Sequence, residues 1–233
     1  LISHLLFDFF GTLVEYSPSR TEHGFHASHE LLRNAGSKLE YEAFLDLWDE
    51  VFAKLESSAK RTRCEFSMLE VGRVFLSQAI ETSWDDAVLS QFIGEYMKEW
   101  NRGVRYFSGL PEMLARLAER YSLAIISNTH EPQLVPDHLA RMGVANLFCP
   151  VVMSVELGVR KPAAAIFEHA LERLDVKAEC CIYVGDNHDA DYLGALEAGL
   201  HPLLIDKDMR FEIAPERRLR DIFELELRVQ DTR

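Results

Sequence analysis

No stretch of the 233 residues approaches the ~20 consecutive apolar residues that a membrane span requires. The start has neither the basic residues nor the cleavage site of a secretory signal, and the chain is read as cytosolic. Cysteine is scarce: Cys64, Cys149, Cys180 and Cys181 form no C-x-x-C pair, and Cys180-Cys181 lies in an apolar run, so reduced core thiols account for them. Positive charge is also short. Twenty-five Lys and Arg face 38 Asp and Glu, giving a net charge of −13 and a pI near 5.1. That balance argues against a nucleic-acid footprint, which needs a concentrated cationic face, and against an anionic membrane surface. A phosphorylated substrate would have to be drawn in by a local patch or a bound cation, because the field of the whole molecule repels it. There is no internal repeat and no low-complexity tract. The hydrophobic share of 48% and charged share of 27% are those of an ordinary folded protein.

What is present falls into two textures. Leu5-Leu6-Phe7-Asp8-Phe9-Phe10, ended by Gly11-Thr12, has the pattern of a strand buried on both faces, interrupted by one carboxylate. From about residue 20 to 101 the apolar residues recur at helical spacing, as in Phe44, Leu47, Trp48, Val51, Phe52 and Leu55, and again in Leu89, Phe92, Ile93, Tyr96, Met97 and Trp100. These aromatic stripes read as helix-helix core. From Ser108 helices and strands alternate: helix 111–120, strand 121–127, helix 132–142, strand 149–153, helix 163–174, strand 180–184, helix 189–198 and strand 202–205. Such alternation predicts an α/β fold, a Rossmann-like doubly wound parallel sheet. Residues 1–14 and 106–233 form this core, and 15–105 form an all-helical domain inserted after the first strand, with joints near 14–19 and 102–107.

In such sheets ligands bind beyond the carboxyl ends of the strands. Asp8 follows the first strand, Ser127-Asn128-Thr129 the next, Lys161 precedes a helix, and Gly185-Asp186 ends a later strand, with Asp191 about a turn beyond. A carboxylate nucleophile, a hydroxyl, a cation and two more carboxylates are the inventory for phosphoryl transfer through an aspartyl-phosphate. Lys161 and Ser127 suit the charge on phosphate oxygens. Asp186 and Asp191 suit a hard cation that prefers oxygen ligands.

The sequence resembles the haloacid dehalogenase superfamily over nearly its whole length. The resemblance rests on Phe7-Asp8-Phe9-Phe10-Gly11-Thr12-Leu13, Ile125-Ile126-Ser127-Asn128-Thr129, Arg160-Lys161-Pro162, and Val184-Gly185-Asp186 through Asp191 with Gly194-Ala195, in that order. It implies Asp8 as nucleophile with Lys161 beside it. It also implies phosphate or substrate binding by Ser127, Asn128, Gly11 and Thr12, and Mg2+ held by Asp8, the Phe10 backbone carbonyl, Asp186 and Asp191. The helical insertion resembles the family's cap, which closes over the site and helps select substrates. The implied partner is a small anionic, phosphorylated metabolite, with no nucleic acid or membrane, and the chain a monomer or homodimer.

One position departs from the pattern. Phosphatases of this family usually carry a second Asp two residues after the nucleophile to protonate the leaving group and activate water, and here Phe10 stands in its place. A leaving group that departs unprotonated, such as the carboxylate of an acyl phosphate, suffers least from that loss. Dehalogenases of the family also have a bulky residue there, so a metal-independent L-2-haloacid dehalogenase is the rival reading. Against it, Gly185-Asp186 keeps the cation-binding carboxylate, Phe167 stands where a Tyr is expected after Lys-Pro, and Asp49 follows Leu47-Trp48 where an Arg is expected. A third reading is a degenerate member that binds a ligand without turnover. His130 and His188 lie on motif loops as candidate replacements for the acid/base, and Arg20, Arg61, Arg63 and Arg105 as candidate contacts for an anion.

Overall fold

The computed structural model describes residues 1–17 and 24–230. The chain divides into two compact units, Leu1–Glu15 with Arg105–Arg233, and Tyr16–Val104.

The first unit is built on a six-stranded sheet whose pairings are all parallel: β1 (His4–Phe7), β4 (Ser122–Ser127), β5 (Phe148–Met153), β6 (Cys181–Gly185), β7 (His201–Ile205) and β8 (Arg218–Leu219), in the order β5-β4-β1-β6-β7-β8. Leu5, Leu6 and Phe7 are fully buried because both faces of β1 are covered, which explains its continuous apolar run. The chain winds outward from β1 to β4 and β5, then returns to pair β6 on the other side. β1 is thus a topological switch point, the place where such sheets open a crevice. Register puts Phe7 level with Ile125 and Val184, so the residues just beyond β1, β4 and β6 emerge side by side.

One face of the sheet packs Leu6, Ala124, Ile126 and Tyr183 against α8 (Ala164–Leu174) and the short α9 (Gly194–Glu197), with Phe167 and Ala195 in the same cluster. α5 (Leu110–Ala118), α6 (Leu134–Arg141) and α10 (Glu224–Gln230) complete the unit together with the single-turn α7 (Ser154–Leu157). Arg116 on α5 holds Glu226 on α10 through two hydrogen bonds of 2.8 and 2.7 Å. The predicted helix 189–198 is a π-helical turn, His188–Leu193, leading into α9. Its opening follows from Asn187: the side-chain oxygen accepts from Asp189 N and Ala190 N, while the Asn187 carbonyl accepts from both Asp191 N and Tyr192 N.

The second unit contains α1 (His26–Asn34), α2 (Tyr41–Thr62), α3 (Met68–Ala79) and α4 (Asp86–Trp100). A capping box of Ser67 and Glu70 starts α3, and the Asp85 carboxylate caps α4. The buried Glu99 of α4 accepts from Ala27 N, Ser28 N and Ser28 Oγ at 3.0, 2.9 and 2.6 Å, which satisfies the first turn of α1. The aromatic stripes meet in one core, with Phe75 stacked on Phe92 at 5.2 Å and Trp48 tilted against Tyr96 at 4.1 Å. A two-stranded sheet pairs β2 (Val14–Tyr16) with β3 (Val104–Tyr106) at the two points where the chain passes from one unit to the other.

Candidate active site

The site begins with the turn after β1. Asp8 N donates to the Val184 carbonyl at 2.8 Å, carrying the pairing with β6 one residue past the strand. The Phe9 carbonyl then accepts from Leu13 N at 2.9 Å and Val14 N at 3.2 Å, folding the chain sharply back. Gly11 sits in this turn with φ +87°, and a Cβ there would collide with the Asp186 carboxylate. Gly11 N donates to the Val14 carbonyl at 2.8 Å, so the N–H of this expected phosphate-binding residue is engaged inside the turn. Its lack of a side chain leaves space for Asp186.

Carboxylate oxygens of Asp8, Asp186 and Asp191 lie within 4.8 Å of one another. Lys161 reaches into this cluster, 3% exposed, and its Nζ donates to Asp8 Oδ1 at 2.7 Å, Asp191 Oδ1 at 2.6 Å and the Tyr183 hydroxyl at 2.7 Å. The other Asp191 oxygen accepts from Asn187 N at 2.9 Å. A Cβ on Gly185 would run into the Asp191 carboxylate, so only glycine at that strand end lets the two segments meet. Thr12 is fully buried, and its Oγ1 stands 3.5 Å from Asp8 Oδ2, at the outer limit of a hydrogen bond. That oxygen is the less encumbered of the two.

Three carboxylates around one ammonium leave an excess of negative charge in a buried place. Burial pushes the Asp8 carboxyl up to about 6, with Asp191 adding to the rise and Lys161 opposing it. Burial, with Asp8 and Asp191 adding to it, pushes Asp186 up to about 7. Burial alone would depress the Lys161 ammonium, but Asp191 and Asp8 outweigh it and hold Lys161 above its ordinary value. A cluster of hard oxygen donors with surplus negative charge fits a divalent cation such as Mg2+.

Two further residues shape the rim. Ser127 Oγ is 1% exposed and has no hydrogen-bond partner among the described residues, which marks it as a donor in want of an acceptor. Asn128 turns its amide to the main chain of Lys161, accepting from Lys161 N at 2.8 Å and donating to Lys161 O at 3.0 Å. Asn128, expected to bind substrate, also uses its side chain to fix the loop that delivers the lysine. A parallel clasp joins Thr129 N to Ser154 Oγ at 2.9 Å.

Phe10 lies in different company. Its ring meets Phe9 edge-on at 5.0 Å and His138 at 5.9 Å, and His138 also stacks on Phe9 at 5.9 Å. Tyr106 OH is 2.8 Å from His138 Nδ1. Burial, aided by Arg141 and opposed by Asp137, depresses His138 to about 4. This imidazole is neutral near pH 7, and nothing in its sequence setting on α6 distinguishes it from a surface histidine. Tyr183 is the other unforeseen participant, since it reads as one more apolar residue in Cys181-Ile182-Tyr183-Val184. The signal available was that a buried phenol requires a polar partner.

The remaining candidates separate. His188 is stacked between Phe211 at 4.3 Å and Tyr192 at 5.7 Å, with Nδ1 3.0 Å from Asp189 Oδ1. His130 is half-buried in the loop after β4, and Arg61, Arg63 and Arg105 are exposed. Arg20 lies outside the described residues. Phe167 places its ring edge-on against Tyr183 at 5.2 Å in the core.

Comparison with known proteins follows this geometry. The profile described as "Hydrolase: haloacid dehalogenase-like hydrolase" matches residues 2–199. A glyceraldehyde 3-phosphate phosphatase of Methanothermobacter thermautotrophicus is 37% identical over 89 residues, 38% of this chain and 39% of that protein, so the match spans well under half of either. Other curated phosphatases match as well, one over 84% of its length. Among solved structures, a HAD phosphatase from Thermococcus onnurineus superposes with a TM-score of 0.72 at 20% identity, covering 98% of each chain. A 2-haloacid dehalogenase from Pseudomonas syringae pv. Tomato DC3000 gives 0.71 at 21% identity, covering 100% of each. At such identities the two show the shared fold and do not discriminate between the chemistries.

Proposed function

Since the chain belongs to the haloacid dehalogenase-like hydrolase family, we propose that it is a Mg2+-dependent phosphatase of a small phosphorylated metabolite, working through an aspartyl-phosphate on Asp8. The observation that carries this reading is the buried cluster of Asp8, Asp186 and Asp191 around Lys161 at the sheet's switch point. Metal-independent dehalogenation of a haloacid needs no carboxylate at Asp186 to hold a cation.

Asp186 and Asp191, with Asp8 and the Phe10 carbonyl, would hold Mg2+, which when bound offsets the negative charge of the carboxylates and of a phosphate. Lys161 fixes Asp8 by its Oδ1, leaving Oδ2 as the oxygen to attack phosphorus. The buried Ser127 hydroxyl donates to a phosphate oxygen, which relieves its lack of a partner. Lys161 answers the charge that develops on the transferring group. No proton donor stands at Phe10, so leaving groups that depart as anions are favoured, and acyl phosphates are cleaved faster than alkyl phosphates. The same lack falls on the second half-reaction, in which water must lose a proton as it attacks the aspartyl-phosphate. For good leaving groups such as acyl phosphates, breakdown of the intermediate is then the slow step, whereas for alkyl phosphates its formation is.

A panel of acyl phosphates, phosphate esters and short 2-haloacids, assayed with Mg2+ and with EDTA, tests the reading. Expected are phosphate release abolished by EDTA and an initial burst of one equivalent of leaving group per site. Phe10 favours the rival dehalogenase, and halide release that survives EDTA would establish that rival instead.

A further inference from the structure

We infer that Tyr183 is a positioning residue of the reaction, holding the Lys161 ammonium at the angle that serves Asp8. An ammonium has three N–H donors and no acceptor. All three are used: one on Asp8 Oδ1, one on Asp191 Oδ1 and one on the Tyr183 hydroxyl, each between 2.6 and 2.7 Å. Tyr183 must therefore accept from Lys161. Its own proton then points to the Ile126 carbonyl at 3.0 Å or to Asp191 Oδ1 at 3.1 Å.

This arrangement does work that the two carboxylates cannot do alone. Asp8 and Asp191 both attract the ammonium, and with only two anchors it could swing about the line between them. The phenol supplies a third anchor, neutral and rigid, from the middle of β6, where register sets Tyr183 beside Leu6. The Ile126 carbonyl that faces the hydroxyl immediately precedes Ser127, so the same phenol ties the lysine to the strand end that carries the orphan hydroxyl. Tyr183 is fully buried, with Phe167 fixing its ring edge-on, and it has no freedom to follow a moving lysine. A phenylalanine there would fill the core equally well. The hydroxyl is what the packing does not require.

The inference rests on the phosphatase reading above, and the test separates the two. Y183F is compared with wild type for phosphate release from acetyl phosphate and p-nitrophenyl phosphate at saturating Mg2+, alone and combined with K161A. Expected is a fall in kcat of ~10- to 100-fold with KM changed less than ~2-fold, as for loss of one charge-assisted hydrogen bond felt in the transition state. In the K161A background Y183F should cost less than a further ~2-fold, because the lysine through which it acts is gone. K161R serves as a second background, in which the Y183F loss should also shrink, since a guanidinium cannot reproduce the three-way geometry. An unchanged kcat in Y183F, or an equal loss in all three backgrounds, overturns the role of Tyr183 and leaves the phosphatase reading intact. Absence of phosphate release from wild type with either substrate overturns both.

Discussion

Asp8 and Phe10 are two residues apart in one turn, yet their surroundings are chemical opposites. Around Asp8 charge dominates: Lys161, Asp186 and Asp191, with the phenol of Tyr183 bonded to the lysine. Phe10 has rings beside it, Phe9 and a neutral His138 whose Nδ1 is 2.8 Å from the Tyr106 hydroxyl. On the proposed mechanism, the ionic half would form the covalent intermediate, and the aromatic half stands where a proton donor and acceptor would be wanted. The two proposed half-reactions are then unequally equipped, and the difference can be broken from either side.

The heaviest blow falls on the ionic half. Asp8→Asn removes the proposed nucleophile and should lower phosphate release by at least ~10⁴-fold, with no leaving-group burst in rapid-quench measurements. A residual burst would place the nucleophile elsewhere. Lys161→Ala follows, costing ~10²- to 10³-fold in kcat through lost electrostatic support and about 3–5 kcal/mol of stability, because the carboxylates are left buried without their cation. The stability loss has a sign in pH. Asp8 and Asp186 have raised pKa values of about 6 and about 7. Their neutral forms favour the fold at low pH, and that contribution disappears as pH rises through those values. Urea unfolding should therefore show a larger deficit for K161A at pH 8 than at pH 5.5, and added Mg2+ should reduce the deficit at pH 8. A deficit that is the same at both would mean that the carboxylates are not the lysine's main burden.

Phe10→Asp attacks the comparison from the other side. It restores a carboxyl two residues after the nucleophile and should raise hydrolysis of alkyl phosphates by ~10²-fold if the missing proton donor limits them. The substitution also removes a ring packed on Phe9 and His138, at a cost of about 1–2 kcal/mol. Ester turnover unchanged in a folded F10D protein would locate the general acid elsewhere.

The sequence made the ionic half legible because its parts sit where the chain itself announces strand ends: Asp8 after an apolar run, Gly185-Asp186 after another. It also exposed Phe10 as an anomaly. The identity of Phe10's neighbours was not readable, since Tyr106 and His138 are 32 residues apart and their meeting depends on how α6 packs. Tyr183 was hidden for a related reason. In a strand buried on both faces a Tyr satisfies the apolar pattern as well as a Phe does, and its hydroxyl becomes informative only when the lysine arriving 22 residues earlier in the chain is seen against it. Asn128 carries a task that no motif announces. The resemblance implied substrate binding, and cross-loop hydrogen bonds to Lys161 add a structural role.

The smallest effect tests whether the aromatic half is as dry as its packing implies. His138 has a pKa depressed to about 4, chiefly by burial, against an ordinary value near 6.5. A histidine whose folded pKa is depressed contributes stability that is present above pH 6.5 and lost as pH falls toward 4, since the unfolded chain takes the proton first. Asp8 and Asp186 titrate in an overlapping range with the opposite sign, so the wild-type curve alone mixes the two. The difference between wild type and His138→Gln cancels the carboxylates, because both proteins share them. Between pH 7.5 and pH 5, wild type should lose on the order of 1 kcal/mol more than the variant, after allowance for partial solvent screening. Parallel curves for the two proteins would mean that His138 accepts a proton within the fold. The rings around Phe10 would then enclose a group able to move protons, and the aromatic half would no longer be the inert one.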